Sequence, residues 1–462
     1  VRISIGAHHP FSEKQLIPFN AMPFVIRASS FLRHSSFVIR HSWLLLALNA
    51  IAAPVHVDLL TVMKLAGANN DEIQLARVKH TETIAESKQA WQRFWPSLSL
   101  GVGYKRHDGN IQDVAGAVFN AYKQQYTVGT NIMIDWSPGD LYYSALAAKQ
   151  KALAAEQLAE KSRRDIVTQA TSRYFDLLST EASVAIIEDD LRLTQDYEKQ
   201  LEGAVTAGTA FRADLLRVKT QVSRAKLAIR QEQEKRDLAA AALAETLRLP
   251  PQTELRPAKA DLVPVRLNGK TGVATMITQA KQHRPELKAA GAATTAAQLE
   301  SDRARIAPII PNVQAGYGAG GLGGGFGNNT GNFDDTQDFY IGLGWRIGPG
   351  GLFDKQRKVI ADAREEATNL QTEQIKAAIG REVVEAAAKS QSAHDQIAIN
   401  DEAVAAAEEM VKLAKERQAS QLGVVLEYLL AREELTRARQ SRVQAVTEFN
   451  TSEHELKRAV GK

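Results

Sequence analysis

The residue types that could carry chemistry are sparse and scattered. His80, His107, His283, His394 and His454 lie far apart, with no His-Glu-x-x-His spacing among them. The acidic pairs Asp189-Asp190 and Glu365-Glu366 fall within long charged helical stretches. There they read as solvated helix surface, not as a general acid beside a general base. The Gly-rich stretch 318–337 has no Gly-Lys-Ser/Thr ending and no strand-to-helix setting, so it reads as a mobile surface loop, not a phosphate cradle. The chain contains no cysteine, which excludes disulfides, thiol catalysis and Cys-based metal sites. No catalytic, metal or cofactor site emerges, and the expectation is a protein that is not an enzyme. The net charge of +4 comes from basic residues interleaved with acidic ones. That mixture gives i,i+4 pairing on helices and implies no nucleic-acid partner.

What does repeat is a pair of alternating strands. Pro96 to Tyr104 and Tyr126 to Trp136 form the first pair; Pro311 to Tyr317 and Asp338 to Ile347 form the second. Leu98, Leu100, Val102 and Tyr104 share one face of their strand, with Ser97, Ser99, Gly101 and Gly103 on the other. Phe339, Ile341, Leu343, Trp345 and Ile347 likewise oppose Tyr340, Gly342, Gly344 and Arg346. Strands of 9–11 residues with one apolar and one small, polar face fit the length of a tilted membrane strand. The 107–121 segment reads as a polar loop.

Each pair is followed by a helix of about 60 residues, which spans about 90 Å. A helix of that length must lie along partners. The organisation is therefore a tandem repeat. Residues 58–249 hold a helical segment, strands 97–105 and 126–136, a long helix 140–202 and a return helix 210–249. Residues 250–268 are a linker, whose Leu262, Val263, Val265 and Leu267 could form a short strand or pack across the helices. Residues 271–459 hold a helix 271–307, strands 312–318 and 338–347, a long helix 355–418 and a return helix 424–459. Residues 1–53 differ from the rest: Arg33 and Arg40 precede Trp43 to Leu48 and the small-residue site Ala50 to Ala53. This resembles a signal peptide cleaved near Ala52 or Ala53; a disordered tail, or a true start at Met22, is the alternative.

This plan resembles the TolC-like outer membrane efflux proteins. Four features carry the resemblance: His283-Arg-Pro-Glu-Leu287, the strand entries Trp95-Pro-Ser-Leu98 and Ile310-Pro-Asn-Val313, the exit Ile347-Gly-Pro-Gly-Gly351, and Gly208 to Arg217 at a helical tip. The second tip departs from the pattern, because matching Asp214 to Glu427 places Gln421 opposite Gly208 and moves the glycine to Gly423. The resemblance implies a mixed α/β membrane protein: a long antiparallel helical barrel plus four strands per chain in a trimeric 12-stranded transmembrane β-barrel. It implies a homotrimer in outer membrane lipid, with the helices in the periplasm, serving a periplasmic adaptor and an inner-membrane pump as the exit duct for small molecules. A duct for protein secretion is the related alternative, and a soluble structural coiled coil the unrelated one. On this reading Gly208, Thr209, Asp214, Gly423 and Glu427 are tip residues for adaptor contact. Ser99, Asn131, Asp135, Gln314 and Arg346 line the lumen, and Trp95, Tyr126, Trp136, Phe339 and Trp345 are membrane-interface aromatics.

Overall fold

A computed structural model describes residues 54–259, 262–269, 271–327, 331–420 and 424–462. The signal-like segment 1–53 lies outside the described residues, as do Gln421 and Gly423. The elements run β1 (Val55–Val57), α1 (Leu59–Asn69), α2 (Asp71–Gln92), β2 (Ser97–Gln112), β3 (Val118–Trp136), α3 (Pro138–Thr206) and α4 (Arg212–Thr246). Then follow β4 (Leu255–Pro257), α5 (Val273–His283), α6 (Pro285–Ile306), β5 (Asn312–Phe326), β6 (Asp334–Gly344), α7 (Lys355–Ala419) and α8 (Val425–Val460). The two halves match element by element. Helices α1 and α5 each have 11 residues, α2 and α6 each have 22, and α4 and α8 have 35 and 36.

The helix expected over 271–307 is broken at Arg284, whose extended backbone precedes Pro285. The proline ring disfavours the helical conformation of the residue before it. Asn70 breaks the first half at the equivalent place, and its side chain caps α2 by accepting from the Glu72 N–H at 2.8 Å. The linker differs from expectation too. Its strand is Leu255–Pro257, which pairs in parallel with β1. Residues 262–268 form no strand; their backbone is strapped onto α8. Asn450 accepts from the Val265 N–H (2.8 Å) and donates to the Val263 carbonyl (3.0 Å). Glu453 accepts from the N–H groups of Leu267 (2.7 Å) and Asn268 (2.8 Å) and from the Ser390 hydroxyl (2.6 Å).

The helices pack through small residues. The largest apolar cluster joins α1, α2, α3 and α4 around Val62, Ile73, Leu177 and Leu243, with β1 and β4 over it. In the second half Val383, Ala280, Leu456 and Val460 hold α5, α7 and α8 together. Charge then ties half to half. Arg458 on α8 donates to Asp165 on α3 at 2.6 Å and to Glu382 on α7. The buried Arg284 reaches Glu286 and Glu382, both at 2.8 Å, and the Ala459 carbonyl at 3.1 Å. Burial would raise the Glu286 carboxyl, but the Arg284 guanidinium outweighs it and holds the group below its ordinary range. Among the described residues no helix is long and apolar enough to cross a membrane.

His454 on α8 is packed beside Phe175, with ring centroids 5.8 Å apart. Burial, helped by the nearby Lys457 charge, pushes its pKa down to about 4. The unfolded imidazole binds a proton near pH 6.5, and the folded one stays neutral until about pH 4. Its contribution to stability is therefore complete above pH 6.5 and shrinks as the pH falls to 4. His454→Gln should lose about 2 kcal/mol less stability than the parent chain over that window, read from denaturant unfolding at each pH.

Candidate functional site

Two regions could act on a partner or a ligand: the sheet at one end of the helices and the helical tips at the other. The sheet has the order β2-β3-β5-β6, antiparallel throughout. Its strands exceed the expected ones. Pairing of β2 with β3 runs from Ser97↔Met133 to Gln112↔Val118, so the loop expected over 107–121 shrinks to a turn at 113–117. The Gly-rich stretch is mainly strand as well, with β5 reaching Phe326 and β6 starting at Asp334. Backbone pairing does not depend on apolar side chains, so it continues where the alternating pattern fades. At the other end β6 stops at Gly344, short of the expected Ile347, because Arg346 and Leu352 close a turn (N···O 2.8 Å).

Register sorts the residues by face. Leu98 pairs with Ile132, Ile132 with Tyr317 and Tyr317 with Phe339, so these four share the apolar face. The opposite face brings candidate residues together. Ser99 is directly across from Asn131 and donates to its carbonyl at 3.3 Å, while Asp135 is directly across from Gln314. Arg346 is not with them, since it sits in the turn beyond β6. The glycines answer a geometric need on this same face. Gly129 and Gly320 are register partners, and a Cβ on Gly320 would land on the Val128 carbonyl and the Gly129 backbone.

The aromatics fall at two levels. Trp95, Trp136 and Trp345 lie at the helix end of the sheet; Trp95 is 77% exposed, and the Trp345 indole donates to the Ile309 carbonyl at 3.0 Å. Tyr126 lies ten residues from Trp136 along β3, in mid-strand rather than at the expected strand end, and stacks on Tyr104 with centroids 5.2 Å apart. Phe339 lies between the two levels, opposite Tyr317, and is not at a strand end either.

The tips are built by local structure. Gly208 adopts φ +76°, the Thr209 N–H bonds the Ala204 carbonyl (2.8 Å) and the Gly208 N–H bonds the Val205 carbonyl (3.0 Å). That arrangement is a glycine C-cap closing α3. Asp214 pairs with Arg217 (3.0 Å) in the first turn of α4, and Glu427 pairs with Arg417 (2.8 Å) across the second tip. Between the tips, the expectation of a solvated Asp190 is corrected. Asp190 and Arg432 are 8% and 9% exposed, and their side chains meet at 2.5 Å. Asp190 lies on the stripe Ile187, Asp190, Thr194 of α3 that faces α8, so helical spacing alone puts it inside. Next to this pair Tyr197 packs on Tyr428 (5.0 Å) and accepts from Gln418. Among the described residues no group of His, Asp and Glu could hold a metal ion.

The chain is a duplicated strand pair set on a column of very long helices. The model of the family described as outer membrane efflux protein matches residues 62–247 and again residues 276–462, one match per repeat. The chain belongs to this TolC-like outer membrane efflux protein family. Membership of that family goes with a place in the outer membrane and helices in the periplasm. Protein CyaE of Bordetella pertussis is 24% identical over 269 residues, covering 56% of this chain and 54% of that protein. The chain thus spans about half the length of this curated relative. The fold is that of a membrane protein from Pseudomonas aeruginosa (TM-score 0.75, 19% identity, 87% of this chain and 93% of that one). It is equally that of the CmeC outer membrane channel of Campylobacter jejuni (TM-score 0.75, 15% identity, 87% and 85%).

Two outcomes follow from these geometries. Gly320→Val should block β3–β5 pairing and abolish outer membrane assembly. Gly342→Val, on the same face but with nothing within 4 Å of its Cβ position, should assemble normally. Immunoblots of outer membrane fractions distinguish the two. Asp190→Ala leaves the Arg432 charge buried and unpaired, and should cost about 3–5 kcal/mol in denaturant unfolding of the purified protein.

Proposed function

We propose that three copies close their sheets into one 12-stranded barrel, which opens into a helical duct and forms the outer part of a tripartite efflux system. The carrying observation is the spacing of the two aromatic levels. Ten residues from Tyr126 to Trp136 span about 33 Å of strand, or about 25 Å of height at a tilt of about 40°, which is the height of the apolar band of an outer membrane barrel. The outer face between the levels is Leu98, Leu100, Val102, Val128, Ile132, Ile134, Ile341 and Leu343, and most of these are exposed in the single chain. Lipid is the environment that suits them. Ser99, Asn131, Asp135 and Gln314 then line the lumen, while Trp95, Trp136 and Trp345 sit at the periplasmic interface. Tyr126, with Tyr104, takes the outer interface, and Phe339 lies within the apolar band.

The periplasmic adaptor, coupled to an inner-membrane pump, takes the helical tips. Thr209, Asp214 and Glu427 give the tips their polar surface, with Gly208 holding the first turn in shape. Phe211 and Val424 precede the two return helices at equivalent positions and are 79% and 66% exposed. They offer an adaptor one apolar anchor per tip. The substrates are small molecules selected upstream by the pump.

Unheated electrophoresis of purified outer membranes tests the assembly. The expected result is a band near three times the chain mass that collapses to one chain on boiling. Recovery of the protein only as a monomer in the soluble fraction would overturn the reading.

A further inference from the structure

The two free edges of the sheet carry opposite charge at the same end. Strand β2 continues beyond Tyr104 as Lys105-Arg106-His107, and β6 begins with Asp334-Asp335 and reaches Asp338. β2 runs away from the helices and β6 runs back toward them, so both charged segments lie at the far end. The signs oppose face by face. Lys105 and His107 share the inner face of β2, and Asp334 and Asp338 share the inner face of β6. Arg106 is on the outer face, as is Asp335. Among the described residues, Lys105 and the three aspartates form no ion pair, while Arg106 reaches only Asp108 (3.3 Å) and the Tyr122 ring (4.7 Å). The His107 Nε2 is shielded from solvent and has no hydrogen-bond partner. The aspartates of β6 sit within a few residues of one another and repel until a cationic edge arrives, while on β2, among the described residues, Lys105 is unpaired and Arg106 is shared with Asp108.

We propose that these segments form a charge-keyed seam between copies of the chain: the basic edge of one copy's β2 meets the acidic edge of the next copy's β6, and this match sets the register in which the barrel closes. The inference rests on the closed-barrel reading above and adds to it the residues that select the register. Within one sheet the pairing line runs Gly103↔Thr127↔Leu322↔Asp334. Strands tilted by about 35–45° are staggered by roughly one to one and a half residues each, hence by about four to six over four strands. A stagger of about four toward the far end brings Asp334 opposite His107 and Asp335 opposite Arg106; about six brings Asp338 opposite Lys105. A stagger of about four in the other sense would set Asp334 opposite Ser99 and Asp335 opposite Leu98, neither of which offers a positive charge. The chain also blocks mispairing of like edges, since two β2 or two β6 strands would set like charges together.

Charge reversal in the full-length protein tests the seam. Lys105→Glu with Arg106→Glu should lower the trimer recovered from outer membranes at least about tenfold, as should Asp334→Lys with Asp335→Lys. The four changes combined should restore it. The chain has no cysteine of its own, so His107→Cys with Asp334→Cys should give disulfide-linked chains on non-reducing gels. Ser99→Cys with Asp334→Cys, the inner-face pair that a stagger of about four in the other sense would bring together, should give none. Unaltered trimer in both reversals, a combined variant as poor as either one, or cross-linking only through Ser99→Cys would each overturn the seam while leaving the barrel standing. Absence of a trimer in the parent chain would instead overturn the barrel reading on which the seam rests.

Discussion

Lipid offers a strand nothing with which to hydrogen-bond, and most of the architecture follows from that. A four-stranded sheet satisfies its interior ladder but leaves one side of β2 and one side of β6 open. In water such edges are tolerable; in hydrocarbon each unmet N–H and C=O costs several kcal/mol, so the edges must find partners. The duplication places the two hairpins side by side through β3 and β5, whose pairing covers Lys123 to Trp136. The covalent repeat thus closes one seam in every chain, and in the proposed barrel assembly would have one seam per chain left to close. The long helices obey a milder form of the same constraint. Their own hydrogen bonds are complete, but their apolar stripes are not covered, and bundling answers that need.

The bundle does this with little bulk. Many of its buried positions are alanine, as at Ala145, Ala147, Ala170, Ala244 and Ala280. Small residues let helices approach closely but bury little area each, about 25 cal/mol per Å² of apolar surface. Specificity of the helix order falls to a few polar locks. Arg458 joins α3, α7 and α8, Arg284 fastens the break before α6, and Asp190 with Arg432 holds α3 to α8. A buried ion pair adds little net stability over an apolar pair but strongly penalises the wrong partner. That suits helices whose Ala-rich faces would otherwise slide.

The repeat was legible because it leaves a two-residue period followed by a long helical one, twice, at the same spacing. The break at Arg284 was signalled by Pro285 but read through, because the apolar pattern continues on both sides. Strand length was not legible beyond Tyr104. The stretch from Lys105 to Gln112 is mostly polar and the one from Val118 to Gln125 does not alternate cleanly, and only pairing with a neighbour makes them strand. The glycines from Gly318 to Gly325 were misleading for a related reason. They suit a loop by composition, yet they sit on β5, where Gly320 and Gly324 face carbonyls that leave no room for a Cβ. Asp190 was missed because its partner lies 242 residues away. Contacts of that range leave no local mark except a charge on an otherwise buried stripe.

The proposed duct would place little demand on chemistry. A duct does not stabilise a transition state, so it needs no cluster of perturbed acids, bases or nucleophiles. What it would need is alternation, with the odd and even positions of each strand meeting lipid on one side and the lumen on the other. In the proposed barrel, Ser99 against Asn131 and Asp135 against Gln314 would keep the inner face polar. A bulkier or more strongly charged inner face would bind whatever passed through it. Tight binding in a passive path slows exit, because release must then climb out of each well. The residues that matter are accordingly spread over faces and edges, where spacing carries the information and no single side chain does.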